Sequence, residues 1–244
     1  MTLPALILAA GRGERMRPLT DRTPKPLLPV RGKPLIEWHL EALARDGIRE
    51  VVINTAWLEE QFPAALGDGS RFGLSIRYSM EGRDHGGALE TAGGLATAWP
   101  LLGDPPACWV LAGDVYAPDF RFDARAAADF IASRDDAHLW FVPNPPQHPN
   151  GDFWLDARGR VHLERASRDE PHGAPGGAEA NRYTYSTIGL FKSSAVATVR
   201  PGERAALLPC FKAAIARGQL GGSLYRGFWA DVGTPERWQS LQAA

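Results

Sequence analysis

The residues best suited to chemistry stand near the start of the chain, in a glycine-containing basic segment that runs from Gly11 to Lys33. This segment holds seven basic side chains and two acidic ones, a net charge of +5 in a chain whose formal charge is −1. Glycines let backbone N–H groups approach an anion closely, and arginine and lysine neutralise phosphate oxygens. We therefore predict that the segment binds a polyphosphate; the alternative is a solvated basic loop whose glycines only make turns.

Two familiar glycine loops are excluded by the residues that follow. A dinucleotide fingerprint needs a third glycine and an immediate helix, but Gly11-Arg12-Gly13 continues as Glu14-Arg15-Met16. A Walker loop needs Gly-Lys followed by serine or threonine, and the sequence contains no such triplet. If the segment binds a polyphosphate, it therefore does so as neither of these two loops.

Two aspartates follow apolar runs elsewhere in the chain. Asp114 ends Leu111-Ala112-Gly113-Asp114, and Asp231 ends Trp229-Ala230-Asp231. Mg²⁺ takes one or two carboxylates and completes its octahedron with water and phosphate oxygens. Together with the basic segment, Asp114 and Asp231 are predicted to hold Mg²⁺, although either aspartate alone could be an ordinary turn residue.

Strands and helices alternate through the first part of the chain and would position these groups. Apolar or alternating runs predict strands over 6–10, 50–55, 74–80, 109–112 and 138–142, and helical spacing predicts helices over 34–46, 57–66, 88–99 and 124–133. This alternation predicts an α/β fold with a doubly wound, mostly parallel sheet. Such sheets bind ligands at the carboxyl ends of their strands, where the basic segment and Asp114 would meet.

The pattern changes after residue 142. We predict a hairpin over 152–163, a strand over 183–191, a helix over 205–217, a strand over 223–232 and a helix over 235–242. Residues 1–142 would form the α/β core and residues 143–244 a smaller α+β lobe within one compact domain. Arg165–Asn181 is polar and rich in glycine, proline and alanine, which predicts a long loop of the kind that forms lids or is disordered.

Composition indicates an ordinary soluble protein. The hydrophobic content of 44% and charged content of 23% are typical of globular domains, and no apolar run approaches the about 20 residues that span a bilayer. The near-neutral charge argues against a nucleic-acid partner. Cys108 and Cys210 have no metal-ligand neighbours and are interpreted as reduced structural thiols. We expect a cytoplasmic protein without a signal peptide.

Two motifs resemble the sugar-1-phosphate nucleotidyltransferase family: Leu8-Ala9-Ala10-Gly11-x-Gly13-x-Arg15-Met16, and Thr23-Pro24-Lys25-Pro26-Leu27-Leu28-Pro29-Val30. In that family the glycine loop and its arginine wrap a nucleoside triphosphate, and the lysine neutralises the phosphates. The resemblance implies catalytic roles for Arg15, Lys25, Asp114 and Asp231. It implies nucleotide contacts from Ala9, Ala10, Gly11, Arg12, Gly13, Arg15, Lys25, Glu90 and Gly93.

The resemblance also implies an acceptor site, with residues from both parts of the chain. Glu90-Thr91 and Gly93-Gly94 match the element that lines the base and sugar sites in uridylyl and thymidylyl members. Sugar contacts are implied for Ala112, Asp152, Asp231 and Gly94. The alternatives are glycines that pack closely on the sheet, and a turn aspartate at residue 152.

The family's reaction joins a nucleoside triphosphate to a sugar 1-phosphate with Mg²⁺ and releases pyrophosphate. The resemblance favours UTP as the donor and a monomer or small homo-oligomer. Within the family, the resemblance favours N-acetylmuramate 1-phosphate as the acceptor, and glucose 1-phosphate, mannose 1-phosphate and phosphocholine stay open as alternatives. A non-catalytic sugar-nucleotide-binding regulator would be expected to lose Arg15, Lys25, Asp114 or Asp231, and all four are present.

This chain departs from the family pattern on the acceptor side. Ala112 stands where uridylyltransferases usually have asparagine, and the segment 82–87 is longer than the usual turn. Many members place a second lysine on the sugar phosphate from a Glu-Lys-Pro motif, whereas this chain has Leu163-Glu164-Arg165. The donor site is therefore better defined by the sequence than the acceptor site.

Overall fold

A nine-stranded sheet lies at the centre of the protein in the computed structural model, which describes residues 2–164 and 180–242. The strands of this part of the chain are β1 Ala5–Leu8, β2 Pro29–Val30, β3 Lys33–Pro34, β4 Glu50–Thr55, β5 Ser75–Met80, β6 Cys108–Ala112, β7 Val115–Tyr116, β8 Ala137–Val142, β9 Phe153–Leu155, β10 Val161–His162, β11 Asn181–Phe191, β12 Leu220–Leu224 and β13 Ala230–Asp231. The α-helices are α1 Leu35–Arg45, α2 Gln61–Leu66, α3 Glu81–His85, α4 Glu90–Ala98, α5 Ala124–Ala132, α6 Leu207–Ala216 and α7 Pro235–Gln242.

The central sheet is mostly parallel and covered on both faces, as predicted. Its order is β10-β9-β11-β6-β1-β4-β5, with β8 beside β11 and β12 beside β8. β1 runs parallel to β4 and β6, and β11 runs antiparallel to both β6 and β8. Neighbouring side chains of β1 enter different apolar cores, Leu6 on one face and Ile7 on the other. The doubly wound α/β fold is therefore confirmed.

Helix α1 buries the apolar face that its sequence pattern predicts. Proline precedes its first residue, and Leu35, Ile36, Leu40 and Leu43 are all fully buried. These positions recur at helical spacing, so they form one stripe that faces the core. The helix stops before Gly47, whose φ of 86° is a left-handed value that favours glycine.

Several predicted elements were wrong in extent. The helix predicted over 57–66 begins only at Gln61, because Leu58 takes a φ of 49° that interrupts a helix. The strand predicted over 223–232 is two strands in different sheets, β12 beside β8 and β13 beside β7. The segment 82–87, which is longer than the usual turn of the family, lies mostly in α3, Glu81–His85. The loop predicted over Arg165–Asn181 lies outside the described residues from 165 to 179.

Strands from both sides of residue 142 share the central sheet. β11 and β12 come from the second part of the chain, and β11 pairs directly with β6 of the first part. The division into a core over 1–142 and a lobe over 143–244 stays a prediction. Cys108 and Cys210 are buried free thiols. None of the helices in residues 2–164 and 180–242 has the length and apolar character needed to cross a membrane.

The burial of His39 makes the free energy of unfolding depend on pH. Desolvation by burial lowers the pKa of His39 to about 4 from 6.5, while a hydrogen bond with the backbone of Val115 acts in the opposite direction. Between pH 6.5 and pH 4 the unfolded chain therefore binds more protons than the folded chain, and the free energy of unfolding falls as the pH falls. Since one pKa unit corresponds to about 1.4 kcal/mol, the full interval is expected to remove about 3 kcal/mol.

The test is chemical denaturation from pH 7 to pH 4 of the wild type and of His39→Asn. We expect the wild-type unfolding free energy to fall more steeply, because the variant lacks the titrating imidazole. Parallel slopes in the two proteins would contradict the assignment.

Candidate active site

The basic loop between β1 and β2 is anchored by apolar packing. Three short 3-10 helices run through it, over Glu14–Met16, Leu19–Asp21 and Lys25–Leu27. Met16 is fully buried in a cluster that includes Val232, one residue after Asp231. Gly13 has a φ of 67° and its carbonyl accepts a hydrogen bond from the Thr20 hydroxyl at 2.8 Å. The loop is therefore held in a fixed shape and is more than a solvated basic segment.

Lys25 and Asp114 meet at the carboxyl ends of β1 and β6. The Lys25 Nζ donates to Asp114 Oδ2 at 2.7 Å, and Lys25 is only 8% exposed. The two strands are neighbours, and the Gly113 N–H donates to the Leu8 carbonyl at 2.8 Å. The predicted meeting of the basic loop with Asp114 is observed.

Asp231 lies beside Asp114 through backbone pairing. β13 pairs with β7 so that Asp231 stands opposite Val115, and the Val232 N–H donates to the Asp114 carbonyl at 3.0 Å. The Asp231 carboxylate accepts from Arg237 at 2.8 and 2.9 Å and from Gln147 at 2.8 Å. Sequence reasoning missed both of these partners.

The glycine that follows Asp231-Val232 explains how Arg237 reaches the carboxylate. A Cβ on Gly233 would lie 2.0 Å from an Arg237 nitrogen and 2.8 Å from Asp231 Oδ2. Glycine leaves this space to the Arg237 guanidinium, which a larger residue would displace. The glycine of the Asp-Val-Gly motif therefore makes room for Arg237 to contact the aspartate of the same motif, Asp231.

A cavity of about 1010 Å³ opens beside the Lys25–Asp114 pair. It is lined by residues of the basic loop, by the start of α4, by the end of β6 and by residues of the second part of the chain. Of the predicted site residues, those that line it are Ala9, Ala10, Gly11, Gly13, Lys25, Glu90, Ala112, Asp114 and Asp152. The structure thus brings together most of the predicted donor site and part of the predicted acceptor site.

Five predicted residues stand outside the cavity lining: Arg12, Arg15, Gly93, Gly94 and Asp231. The Arg12 guanidinium lies 4.3 Å from the centre of the Trp57 ring, which is a cation–π contact. Arg15 is exposed and makes no ion pair with the part of the chain that the structure describes. The nucleotide-binding roles of Arg12 and Arg15 stay predictions.

Gly93 and Gly94 are packing positions on α4. A Cβ on Gly93 would lie 2.1 Å from the Glu203 carbonyl oxygen, so the chain before α6 passes directly over this residue. A Cβ on Gly94 would lie 2.5 Å from Asn54 Nδ2 and 2.7 Å from Glu81 Oε1. This is the close packing that the sequence left open as an alternative, and the ligand contacts of both glycines stay predictions.

A buried polar chain links the end of β1 to the start of α4, and sequence reasoning missed it. The Ala9 N–H donates to Asn54 Oδ1 at 2.8 Å, and Asn54 Nδ2 donates to Glu81 Oε1 at 2.7 Å. The Leu89 N–H donates to Glu81 Oε2 at 2.8 Å, and Glu90 follows with a left-handed φ of 60°. This hydrogen-bonded network therefore connects the β1 side of the cavity, where phosphate binding is predicted, with its Glu90 side.

Glu81 is fully buried and faces two donors. Burial raises the pKa of the Glu81 carboxyl, and the hydrogen bonds from Leu89 and Asn54 act against that shift. The sequence does contain one sign of this hydrogen-bonded network: Asn54 is a polar residue inside the apolar run 50–55. Its partner Glu81 could not be found without the tertiary structure.

Glu81→Gln is expected to destabilise the protein by about 1–3 kcal/mol, because one amide nitrogen would face a buried donor. The matched control is Glu59→Gln. Among the residues that the structure describes, Glu59 accepts one hydrogen bond, from the Gly82 N–H at 3.0 Å, which an amide oxygen can keep. Chemical denaturation measures both variants, and equal losses of unfolding free energy would contradict the role of Glu81.

The side of the cavity predicted to take the acceptor combines apolar side chains with several polar and charged ones. Asp152 lines the cavity, but its carboxylate accepts from the Tyr185 N–H at 2.8 Å and contacts His148 Nε2 at 3.0 Å. Thr187 lies at an irregularity of β11 and has a φ of 64°, which is rare for a β-branched residue. Leu163 and the first turns of α6 complete this wall.

The donor set fits Mg²⁺ as a partner of a phosphate ligand. Asp114 and Asp231 stand on paired backbone segments, which supplies the one or two carboxylates that Mg²⁺ takes when phosphates and water complete its coordination. Within residues 2–164 and 180–242 no group of three or more His, Cys, Asp or Glu side chains could hold a metal without such a ligand. The metal roles of Asp114 and Asp231 stay predictions.

Comparison with known proteins identifies the family. The sequence profile of the nucleotidyl transferase family matches residues 4–244. The N-acetylmuramate alpha-1-phosphate uridylyltransferase of Neisseria meningitidis is 45% identical over 240 residues, 98% of this chain and 96% of that protein. The protein of the same name from Caulobacter vibrioides is 30% identical over 95% of this chain and 92% of its own length.

A solved structure agrees on the fold. A putative glucose-1-phosphate thymidylyltransferase from Bacillus anthracis has a TM-score of 0.76 at 22% identity and covers 99% of this chain and 94% of its own. The resemblance read from the two motifs is confirmed by these comparisons. The chain belongs to the nucleotidyl transferase family, and its similarity extends over nearly its whole length to uridylyltransferases named for N-acetylmuramate 1-phosphate.

Proposed function

We propose that the protein joins UTP to N-acetylmuramate 1-phosphate with Mg²⁺, which yields UDP-N-acetylmuramate and pyrophosphate. The observation that carries this proposal is the single cavity that joins the basic loop, the Lys25–Asp114 pair and the apolar wall of the second part of the chain. The choice of base and sugar is supported by the two uridylyltransferases that match nearly the whole chain. N-acetylmuramate is a peptidoglycan sugar, so the activity would serve peptidoglycan recycling.

The loop after β1 would bind the triphosphate. A Cβ placed on Gly11 would have no neighbour within 4 Å, so a phosphate could approach the backbone of Gly11 closely. Lys25 supplies a nearly buried positive charge at the same place. Because water is largely excluded around Lys25, its attraction for phosphate oxygens would be stronger than that of an exposed lysine.

The reaction is one displacement at phosphorus. An oxygen of the acceptor phosphate attacks the α-phosphorus of UTP, a P–O bond forms there, and the P–O bond to pyrophosphate breaks. No general base is required, because a phosphate monoester already carries negative charge near neutral pH. The task of the protein is to hold the two substrates in line and to neutralise their charge.

Asp114 and Asp231 are proposed to hold the Mg²⁺ ion that neutralises the reacting phosphates. Arg237 and Gln147 keep the Asp231 carboxylate in a fixed orientation. Lys25 does the same for Asp114. These contacts would preorganise the carboxylates before the substrates arrive.

The test is pyrophosphate release in the presence of Mg²⁺, with four nucleoside triphosphates crossed against a panel of sugar 1-phosphates and phosphocholine. We expect the highest kcat/KM for UTP with N-acetylmuramate 1-phosphate. Turnover with glucose or mannose 1-phosphate, or with phosphocholine, would keep the reaction class and replace the acceptor. Folded protein that binds UTP but releases no pyrophosphate with any acceptor would favour a regulatory role.

A further inference from the structure

Two cations of the cavity, Arg182 and Lys212, have no acidic partner among the residues that the structure describes. Of the other charged side chains of the lining, Lys25 pairs with Asp114 and Glu90 with Arg204, while Asp152 contacts the His148 ring nitrogen at 3.0 Å. The nearest polar contact of Arg182 is a long one, 3.5 Å from its Nη2 to the Asp152 carbonyl oxygen. Two uncompensated positive charges facing one cavity favour an anionic ligand.

Arg182 lies away from the place where the reacting phosphates would meet. On β11, Ile188 stands opposite Leu111 of β6, next to the carboxyl end of that strand, whereas Arg182 stands opposite Trp154 of β9. A strand rises about 3.3 Å per residue, so Arg182 is roughly 15–20 Å along β11 from that end of β6. This separation fits contact with a distant part of the acceptor better than contact with its phosphate.

Lys212 stands on the apolar wall of the same side. It follows Phe211 on α6, and the Phe211 ring packs against Tyr185 and Phe153 at centroid distances of 5.8 and 6.0 Å. One turn earlier on the helix, Leu208 is 47% exposed and also lines the cavity. An acceptor that fits here would present apolar groups to the wall and a negative charge to its rim.

We propose that Arg182 and Lys212 bind a carboxylate of the acceptor sugar, at a subsite separate from the one that holds its phosphate. This inference rests on the proposed function, since N-acetylmuramate 1-phosphate carries a lactyl carboxylate and an acetamido methyl group in addition to its phosphate. Glucose and mannose 1-phosphates carry neither. Arg182 and Lys212 would then select this acceptor over neutral sugar 1-phosphates.

The test compares two acceptors that differ in the carboxylate. N-acetylglucosamine 1-phosphate has the same ring, acetamido group and phosphate as N-acetylmuramate 1-phosphate but no lactyl group. We expect the KM for N-acetylmuramate 1-phosphate to rise by about tenfold or more in Lys212→Met and in Arg182→Met, because each variant loses one charged hydrogen bond to the carboxylate. The KM for UTP, and the KM or inhibition constant of N-acetylglucosamine 1-phosphate, are expected to change less than about twofold.

Two controls define the readout. Lys212→Arg keeps the charge and is expected to restore most of the affinity for N-acetylmuramate 1-phosphate. Arg77→Met removes an exposed cation of β5, at the opposite edge of the sheet, and is expected to change neither KM. Thermal unfolding of each variant confirms that it is folded.

The outcomes separate this inference from the proposed function. An equal rise of KM for both acceptors would assign the two cations to the phosphate and overturn the inference. An unchanged KM in both variants would overturn it as well. If the wild type releases no pyrophosphate with N-acetylmuramate 1-phosphate but does so with another acceptor, the proposed function itself fails.

Discussion

Lys25→Met is expected to lower kcat by about a hundredfold to a thousandfold, the usual effect of removing one preorganised charge from a site of phosphoryl or acyl transfer. Lys25 is nearly buried and lies 2.7 Å from Asp114, so its loss removes charge where the α-phosphate would react and leaves the carboxylate unbalanced. Steady-state pyrophosphate release with saturating UTP and acceptor measures the effect.

The matched control is Lys33→Met in the same basic segment. Lys33 lies 3.7 Å from the centre of the Trp38 ring and pairs with Glu41, and it is not part of the cavity lining. We expect its variant to keep kcat within about threefold of wild type, since surface charge contacts contribute little. A Lys25→Met enzyme that kept a similar rate would contradict the role assigned to Lys25.

Gly94→Ala is expected to lower the free energy of unfolding by about 2–5 kcal/mol. The new methyl group would overlap Asn54 Nδ2 at 2.5 Å and Glu81 Oε1 at 2.7 Å, so it must displace a buried and hydrogen-bonded carboxylate. Overpacking and the loss of a buried charge contact both contribute to a change of this size. Chemical denaturation at neutral pH measures it.

Gly11→Ala provides the contrast. A Cβ at Gly11 meets no atom within 4 Å, so we expect unfolding free energy within about 0.5 kcal/mol of wild type. Its methyl group would instead stand in the cavity, and the affinity for UTP is expected to fall. If Gly94→Ala were as stable as Gly11→Ala, the Asn54–Glu81 contact would not have the structural role described here.

The sequence predicted the parallel core well because its elements are encoded locally. Strand β4 has the predicted bounds Glu50–Thr55, and α7 has the predicted bounds Pro235–Gln242. The meeting of Lys25 with Asp114 was also predictable, since the carboxyl ends of parallel strands share one edge. These inferences needed only apolar periodicity and one rule of topology.

The remaining features depend on contacts between distant residues. Six of the ten residues in the run 223–232 are apolar or aromatic, on both sides of Arg226-Gly227, and this pattern does not show that β12 and β13 pair with different partners. The contact between Asn54 and Glu81 spans 27 residues, and although Asn54 stands out in its apolar run, nothing in the sequence marks Glu81 as its partner. Nothing in the sequence distinguishes Arg182 and Lys212 from other basic residues. Their connection becomes visible only in the structure, where both line the cavity.

The most direct test of the account is the fate of the phosphates of UTP. Wild-type protein with Mg²⁺, UTP and N-acetylmuramate 1-phosphate would be followed by ³¹P NMR. We predict that pyrophosphate and the diphosphate signals of UDP-N-acetylmuramate appear in equal amounts as UTP and the acceptor disappear. Release of orthophosphate, or consumption of UTP without a sugar-linked diphosphate, would contradict transfer to the acceptor at this site.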